Sequence, residues 1–281
     1  MSAELIGAAA MLASAFFHSF VGLLTKQAED KLVFRSVLML TAAIISAPAL
    51  FLFPPPPPEA WRFLIAGMGI HFVFQMAMIS AFQRGDMNLV YPVMRGAAPA
   101  MAGIAALVFL RESLGWVEIA GLTIATLAIL GVSWPDSHRI PKAKALAFAF
   151  LAAGMTALYS VNDASGVRAT GNAISYLAWF FLLTAWPITL ASLVRRGRAW
   201  PAIARSELSR GIKAGLVGAA SYAFALYALS IAAVAPMAAM RETSVIFGAI
   251  LAAFVLKEPF GLRRIILAIL LAAGLVLLQV G

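Results

Sequence analysis

The chain has 281 residues, 63% of them hydrophobic and only 12% charged, with a mean hydropathy of +0.93. A soluble domain is roughly 45–50% apolar and about 25% charged, so too little polar surface exists here to coat a water-soluble globule. The apolar content is equally far from that of a disordered chain. A net charge of +9 would suggest nucleic acid in a soluble protein. Here most Lys and Arg fall in short segments between apolar runs, the pattern of cytoplasmic loops, so the expected partner is the lipid bilayer and not nucleic acid. The absence of cysteine excludes disulfides, thiolate metal sites and thiol catalysis.

Ten apolar stretches follow in chain order: Leu5–Thr25, Leu32–Phe53, Trp61–Phe82, Leu89–Leu110 and Trp116–Trp134, then Ala145–Val167, Ala173–Val194, Ile212–Ile231, Val234–Leu256 and Leu262–Val280. Each is near the roughly 20 residues that a bilayer-crossing helix needs, and none alternates as a membrane barrel strand does. The start, Met1-Ser2-Ala3-Glu4, lacks the basic segment of a signal peptide, so the first helix is expected to be retained. Pro54 to Pro58 must end the second helix, because proline cannot donate to the helical ladder. Asp136 to Pro141 reads as a midpoint linker, and Arg195, Arg196, Arg198, Arg205, Arg210 and Lys213 mark the longest expected loop.

An internal repeat organises these spans. Arg111-Glu112-Ser113-Leu114-Gly115 closes the fourth span and Lys257-Glu258-Pro259-Phe260-Gly261 the ninth, and an intramembrane arginine, Arg95 or Arg241, precedes each glutamate by 17 residues. At a nearby offset of 142, Ser14, Phe17 and Lys26 match Thr156, Tyr159 and Arg168. Five helices duplicated, an odd number, predict two inverted repeats, residues 1–137 and 138–281, an arrangement common among secondary transporters. The odd-numbered loops hold 16 basic residues against 3 in the even-numbered ones, with Arg35 counted among the former. The bias predicts a multi-pass protein of the plasma (inner) membrane with odd loops in the cytoplasm and both termini outside.

Charge inside a span costs at least about 2.5–3.5 kcal/mol and normally faces a partner or a wet cavity. Arg95 and Arg241 are therefore the first candidates for substrate binding. Arg95 lies between Pro92 and Pro99 with Tyr91 one turn before it, while Arg241 opens the polar run Arg241-Glu242-Thr243-Ser244. Adjacency in sequence predicts that Glu242 locks Arg241, with Asp163 at the same depth, and leaves Arg95 freer to hold a solute; the alternative is that Glu242 neutralises a cation of another helix or carries a proton. His18 is expected near the depth of Arg95, and Asn162 and Asp163 near that of Arg241. His18, Asp163 and Glu242 are the candidates for ion coupling. Gln75, Tyr222 and Tyr227 read as cavity liners, and His71, Met76 and Met78 as apolar filler. No HExxH, Walker A or GxSxG sequence occurs and the three histidines are scattered, so no metal site, cofactor or enzymatic activity is expected.

Several segments together resemble the ten-helix EamA-type transporters of the drug/metabolite transporter superfamily. They are Gly85-Asp86-Met87-Asn88-Leu89-Val90-Tyr91-Pro92 with Arg95-Gly96, the closing pairs Arg111-Glu112 and Lys257-Glu258, Arg241 to Val245, and Tyr159 to Gly171. The resemblance implies a central cavity among helices one, three, four, six, eight and nine, with helices five and ten peripheral. It also implies export or exchange by alternating access, and it makes Glu112 and Glu258 structural residues at helix ends. The expected function is secondary transport of a small polar organic metabolite, such as an amino acid or organic anion. The alternatives are an exporter of hydrophobic or cationic compounds, or a membrane-embedded enzyme or lipid-handling protein.

Overall fold

Uninterrupted apolar runs become helices, and every regular element among the described residues is one. The structure is a computed structural model that describes residues 2–85, 87–112, 114–133, 143–256 and 262–280. In chain order the helices are α1 (Ala3–Gln27), α2 (Lys31–Ser46), α3 (Ala49–Leu52), α4 (Pro58–Arg84), α5 (Met87–Ala105) and α6 (Trp116–Ser133). They continue with α7 (Ala143–Thr170), α8 (Ala173–Arg196), α9 (Trp200–Ile231), α10 (Val234–Arg241), α11 (Ser244–Leu256) and α12 (Leu262–Val280). The expected midpoint linker, Asp136 to Pro141, and the closing segment Lys257 to Gly261 lie outside the described residues.

Six stretches are long and apolar enough to cross a bilayer: Ala3–Gln27, Lys31–Leu52, Pro58–Arg84, Val93–Leu110, Ala143–Thr170 and Ala173–Ile231. The last of these contains both α8 and α9, and Trp116–Gly131 and Ile265–Leu278 are shorter apolar helices. Large apolar side chains such as Phe51, Trp116, Val194 and Ile269 are exposed on the outside of the bundle, where a lipid-embedded surface carries them.

Three spans differ from the expected ones, each for a local reason. The second is interrupted at Ala47–Pro48, since Pro48 has no N–H to give, and resumes as the single turn α3. The proline run after it is pinned, with Ser175 Oγ donating to the Pro54 carbonyl at 2.7 Å and Trp61 Nε1 to that of Pro56 at 3.1 Å. The basic segment Arg195 to Lys213, expected as a loop, is instead helical apart from the short turn Gly197–Ala199. Pro201 suits a helix start, and the side chain of Glu207 is fully buried because it accepts the backbone N–H of Glu29 at 2.8 Å and of Asp30 at 3.2 Å. Arg196 Nε completes this corner by donating to Asp30 at 2.6 Å. The ninth span breaks at Glu242–Thr243, where the bonds shorten to three-residue steps: Glu242 N–H to the Ala239 carbonyl and Thr243 N–H to that of Met240, both 3.1 Å.

Close crossings hold the bundle together. α9 meets α2 through Gly211 and Gly215, where added Cβ atoms would lie 2.4 Å from Val37 and 2.5 Å from Thr41. α6 meets α12 at Gly121, where a Cβ would lie 2.6 Å from the Gly274 carbonyl oxygen. Small residues spaced this way let helix backbones approach where no hydrophobic force drives association. α4 packs along α7 and α8, α1 along α9 and α11, and α5 along α6 and α7. The remaining principal pair is α2 with α8.

Candidate functional site

The bundle encloses a cavity of about 120 Å³. Two helices show how the sequence builds its wall. α4 presents His71, Phe74, Gln75, Met78 and Phe82, and α1 presents His18, Val21, Gly22 and Thr25, both at the three- and four-residue spacing of one helical face. α2, α5, α7, α8, α9 and α10 supply the rest, and no described residue of α6 or α12 reaches it. α2 and α8 thus join the six helices that the resemblance implies.

Three arginines line this space: Arg35 from α2, Arg95 from α5 and Arg241 from α10. No carboxylate lines it among the described residues. Phe74, Phe82, Tyr159, Phe180, Phe181 and Tyr222 form an aromatic wall. Arg35, counted among the loop cations in the sequence, lies within α2 with Nη2 at 3.5 Å from Met78 Sδ. Its signal was visible, since it sits four residues into an apolar run and is followed by Ser36.

A first polar cluster joins the two halves of the chain. Arg95 Nη1 donates to both carboxylate oxygens of Glu242, at 3.1 and 3.3 Å, and Nη2 donates to His18 Nε2 at 2.6 Å. Arginine carries only donors, so His18 Nε2 is the unprotonated ring nitrogen here. The predicted proximity of His18 and Arg95 is present. The expected pairing of Glu242 with Arg241 is not, because Arg95 holds that carboxylate instead. Residues i and i+1 of a helix do not face each other, so Arg241 and Glu242 leave the α10 turn in different directions. The Arg95–Glu242 pair is well sheltered, with side chains 14% and 2% exposed.

Arg241 points into the cavity. Its guanidinium carbon lies 5.4 Å from the ring centre of Tyr222 and 5.9 Å from that of Tyr159. Its Nε is buried without a hydrogen-bond partner, and it forms no ion pair with any described residue. Gln75, 4% exposed, has a buried Oε1 that is likewise unpartnered. Arg241 Nε and Gln75 Oε1 are thus a donor and an acceptor without hydrogen-bond partners on residues that line the cavity, from opposite halves of the sequence.

A second cluster centres on Asp163, which is 1% exposed. His71 Nε2 lies 2.9 Å from Oδ2, and the Tyr222 hydroxyl donates to the same oxygen. Tyr176 OH donates to Oδ1 at 3.3 Å and Asn162 Nδ2 at 3.2 Å. Asn162 also donates to the Phe63 carbonyl at 2.9 Å, so it supports Asp163 and does not line the cavity. Gly166 makes room for Tyr176, since a Cβ there would lie 2.4 Å from the ring.

The remaining candidates separate clearly. Tyr222 lines the cavity as expected, whereas Tyr227 is 45% exposed on the outer surface. His71 and Met78, read as filler, both line the cavity. His71 precedes Gln75 by four residues, and that spacing was the available signal. The side chain of Tyr91 lies outside the described residues. Glu112 takes its structural place: it accepts from Arg168 at 3.1 Å and from the Val234 backbone N–H at 2.8 Å, while Arg168 also binds the Leu229 and Ala232 carbonyls at 3.0 and 2.8 Å. Its repeat mate Glu258 lies outside the described residues.

Residues 5–134 match the model of the EamA-like transporter family. No protein of curated function matches the sequence. One solved crystal structure aligns over 98% of this chain and 95% of its own, with a TM-score of 0.78 and 17% identity, which shows a shared fold alone. Through its first half, then, this multi-pass membrane protein carries the pattern of the EamA-like transporter family, within the drug/metabolite transporter superfamily.

Proposed function

We propose that the protein is a secondary transporter that moves a small organic anion, an amino acid or organic acid, by alternating access through the arginine-lined cavity. The observation that carries this reading is Arg241: a cation inside a spanning bundle, held by two tyrosine faces, with a buried unpartnered N–H and no carboxylate ion-paired with it among the described residues. A charge in that position favours a negative ligand, and guanidinium suits a carboxylate. The unpartnered Gln75 oxygen suits a solute that also bears an N–H or O–H donor. By this measure a water needs roughly 10–15 Å³, so a 120 Å³ cavity fits on the order of ten non-hydrogen atoms.

The proposed scaffold is ten spans in two inverted repeats, residues 1–137 and 138–281. Six apolar stretches become ten spans when Ala173–Ile231 counts as two, α6 and α12 count as one each, and α10 with α11 forms the last. The packing supports this reading. α4 against α7 has its counterpart in α9 against α1, α5 against α7 in α11 against α1, and α2 against α9 in α8 against α4. α6 with α12 and α2 with α8 pair with their own mates, as helices beside a two-fold axis in the membrane plane do. The proposed setting is the plasma membrane with the Gly197–Ala199 turn inside the cell. Because the chain has no cysteine, an impermeant maleimide on intact cells tests the orientation. Ser2→Cys is expected to label and Arg198→Cys to be protected, and the reverse pattern inverts the assignment.

The transport test is counterflow in proteoliposomes with two probes of matched size and fixed charge, radiolabelled sulfanilate and benzyltrimethylammonium. Sulfanilate carries an anion and an amino donor. Saturable counterflow of sulfanilate, inhibited by unlabelled sulfanilate, is the expected result. Counterflow of benzyltrimethylammonium alone selects the cation-exporter reading instead, and flux of neither defeats transport of small ions.

A further inference from the structure

Asp163 receives hydrogen bonds from three neighbouring side chains and from its own neighbour Asn162: His71 of α4, Tyr176 of α8 and Tyr222 of α9. An ionised carboxylate offers about four lone-pair sites, and all are occupied. A proton that enters this cluster cannot settle on Asp163 without expelling a donor. His71 is the place for it. Its Nε2 already faces Asp163, its ring lines the cavity, and its Nδ1 makes no hydrogen bond among the described residues. Loaded, the pair is imidazolium and carboxylate with no net charge. Empty, it is imidazole and carboxylate with one negative charge.

Arg241 feels that difference, because it lies over the Tyr222 ring whose hydroxyl binds Asp163. The other ionisable groups facing His71 are Tyr159 of α7, stacked on it at 4.4 Å, with Tyr176 and Tyr222. Across the cavity stand Arg35 of α2, His18 of α1 and Arg95 of α5, the last bound to Glu242. Asp163 is the only carboxylate bonded to His71 among the described residues. With the pair empty, the Asp163 charge offsets Arg241 and weakens its hold on an anion. With the pair loaded, the imidazolium takes over that offset and leaves the Arg241 field to the solute.

We propose that His71 and Asp163 form a proton-binding site and that one proton crosses with each solute anion. This rests on the reading of the cavity as an anion site. Proton and anion favour each other's binding, and such coupling is reciprocal. The cycle is electroneutral for a monoanion, so it runs outward or inward according to the summed gradients of proton and solute.

The experiment uses proteoliposomes of the full chain with labelled sulfanilate, which stays anionic and so carries no proton of its own. With the outside more acidic by one pH unit, the wild type is expected to accumulate sulfanilate to about tenfold over the outside concentration. His71→Gln keeps an amide donor for Asp163 but has no proton to take up, and its accumulation ratio is expected to fall to unity whatever its counterflow rate. Asp163→Asn is expected to do the same. Wild-type counterflow without accumulation across the pH difference overturns the proposal, as does undiminished accumulation by His71→Gln. Absence of sulfanilate counterflow in the wild type instead defeats the anion reading beneath it. A second measurement needs no variant: purified wild type in weak buffer with a pH indicator should take up protons when sulfanilate binds. Binding without proton uptake overturns the proposal on its own.

Discussion

Arg241→Ala is expected to lose most anion affinity while remaining folded and monodisperse. The sequence places Glu242 beside it, and a locked Arg241 would strand a buried acid when removed. The structure gives that acid to Arg95, at 3.1 Å, so truncating Arg241 leaves no carboxylate unpaired among the described residues. What disappears is the cation over Tyr159 and Tyr222 and the free N–H beside them. Truncating one partner of a buried charge pair typically costs about 2–5 kcal/mol of binding, equivalent to a rise in half-saturation of at least roughly 30-fold. Arg241→Lys separates the contributions: it keeps a positive charge but loses the planar fork and much of the stacking on the two rings. It should retain measurable sulfanilate counterflow with a weaker half-saturation than wild type, intermediate between wild type and Arg241→Ala. An Arg241→Ala protein with wild-type half-saturation would remove Arg241 from the binding site.

The sequence conveyed the class of the molecule through properties that are additive along the chain. Long apolar runs, proline breaks and the 146-residue offset between Arg95 and Arg241 are one-dimensional signals, and helices preserve them. It also marked Arg95, Gln75 and Tyr222 as cavity residues and put His18 at the depth of Arg95, because intramembrane polar groups have few other places to go. Which cation holds which acid was not legible. Glu242 adjoins Arg241 in sequence but bonds Arg95, 147 residues away, and His71 bonds Asp163 across 92 residues. Such pairs depend on the rotation of each helix about its axis and on the tightened turn at Glu242–Thr243, neither of which periodicity fixes. The helical start of α9 was hidden for a different reason. Its first turns are basic and polar, and only Glu207, turned inward to the amides of Glu29 and Asp30, shows why they are ordered.

Breaking the Arg95–Glu242 pair from either side should damage assembly more than any change at Arg241. Glu242 is 2% exposed, and both its oxygens accept from Arg95 Nη1. Arg95→Met removes those donors and leaves an unpaired carboxylate within the bundle. Glu242→Leu leaves the Arg95 guanidinium, which also bonds His18, without its carboxylate. Removing one member of a buried pair typically costs about 3–5 kcal/mol, whereas replacing both by apolar residues of similar size is often neutral or stabilising. The double variant Arg95→Met/Glu242→Leu is therefore expected to recover most of the thermal stability that each single variant loses in detergent. Recovery of folding should not bring recovery of transport if the pair also clamps the two halves of the chain between inward- and outward-facing states, since α5 and the α10–α11 turn would then lack their polar link. Losses in the double variant equal to the sum of the single losses would mean that the two side chains act independently. Arg95 and Glu242 would then have no mutual role in holding the halves together.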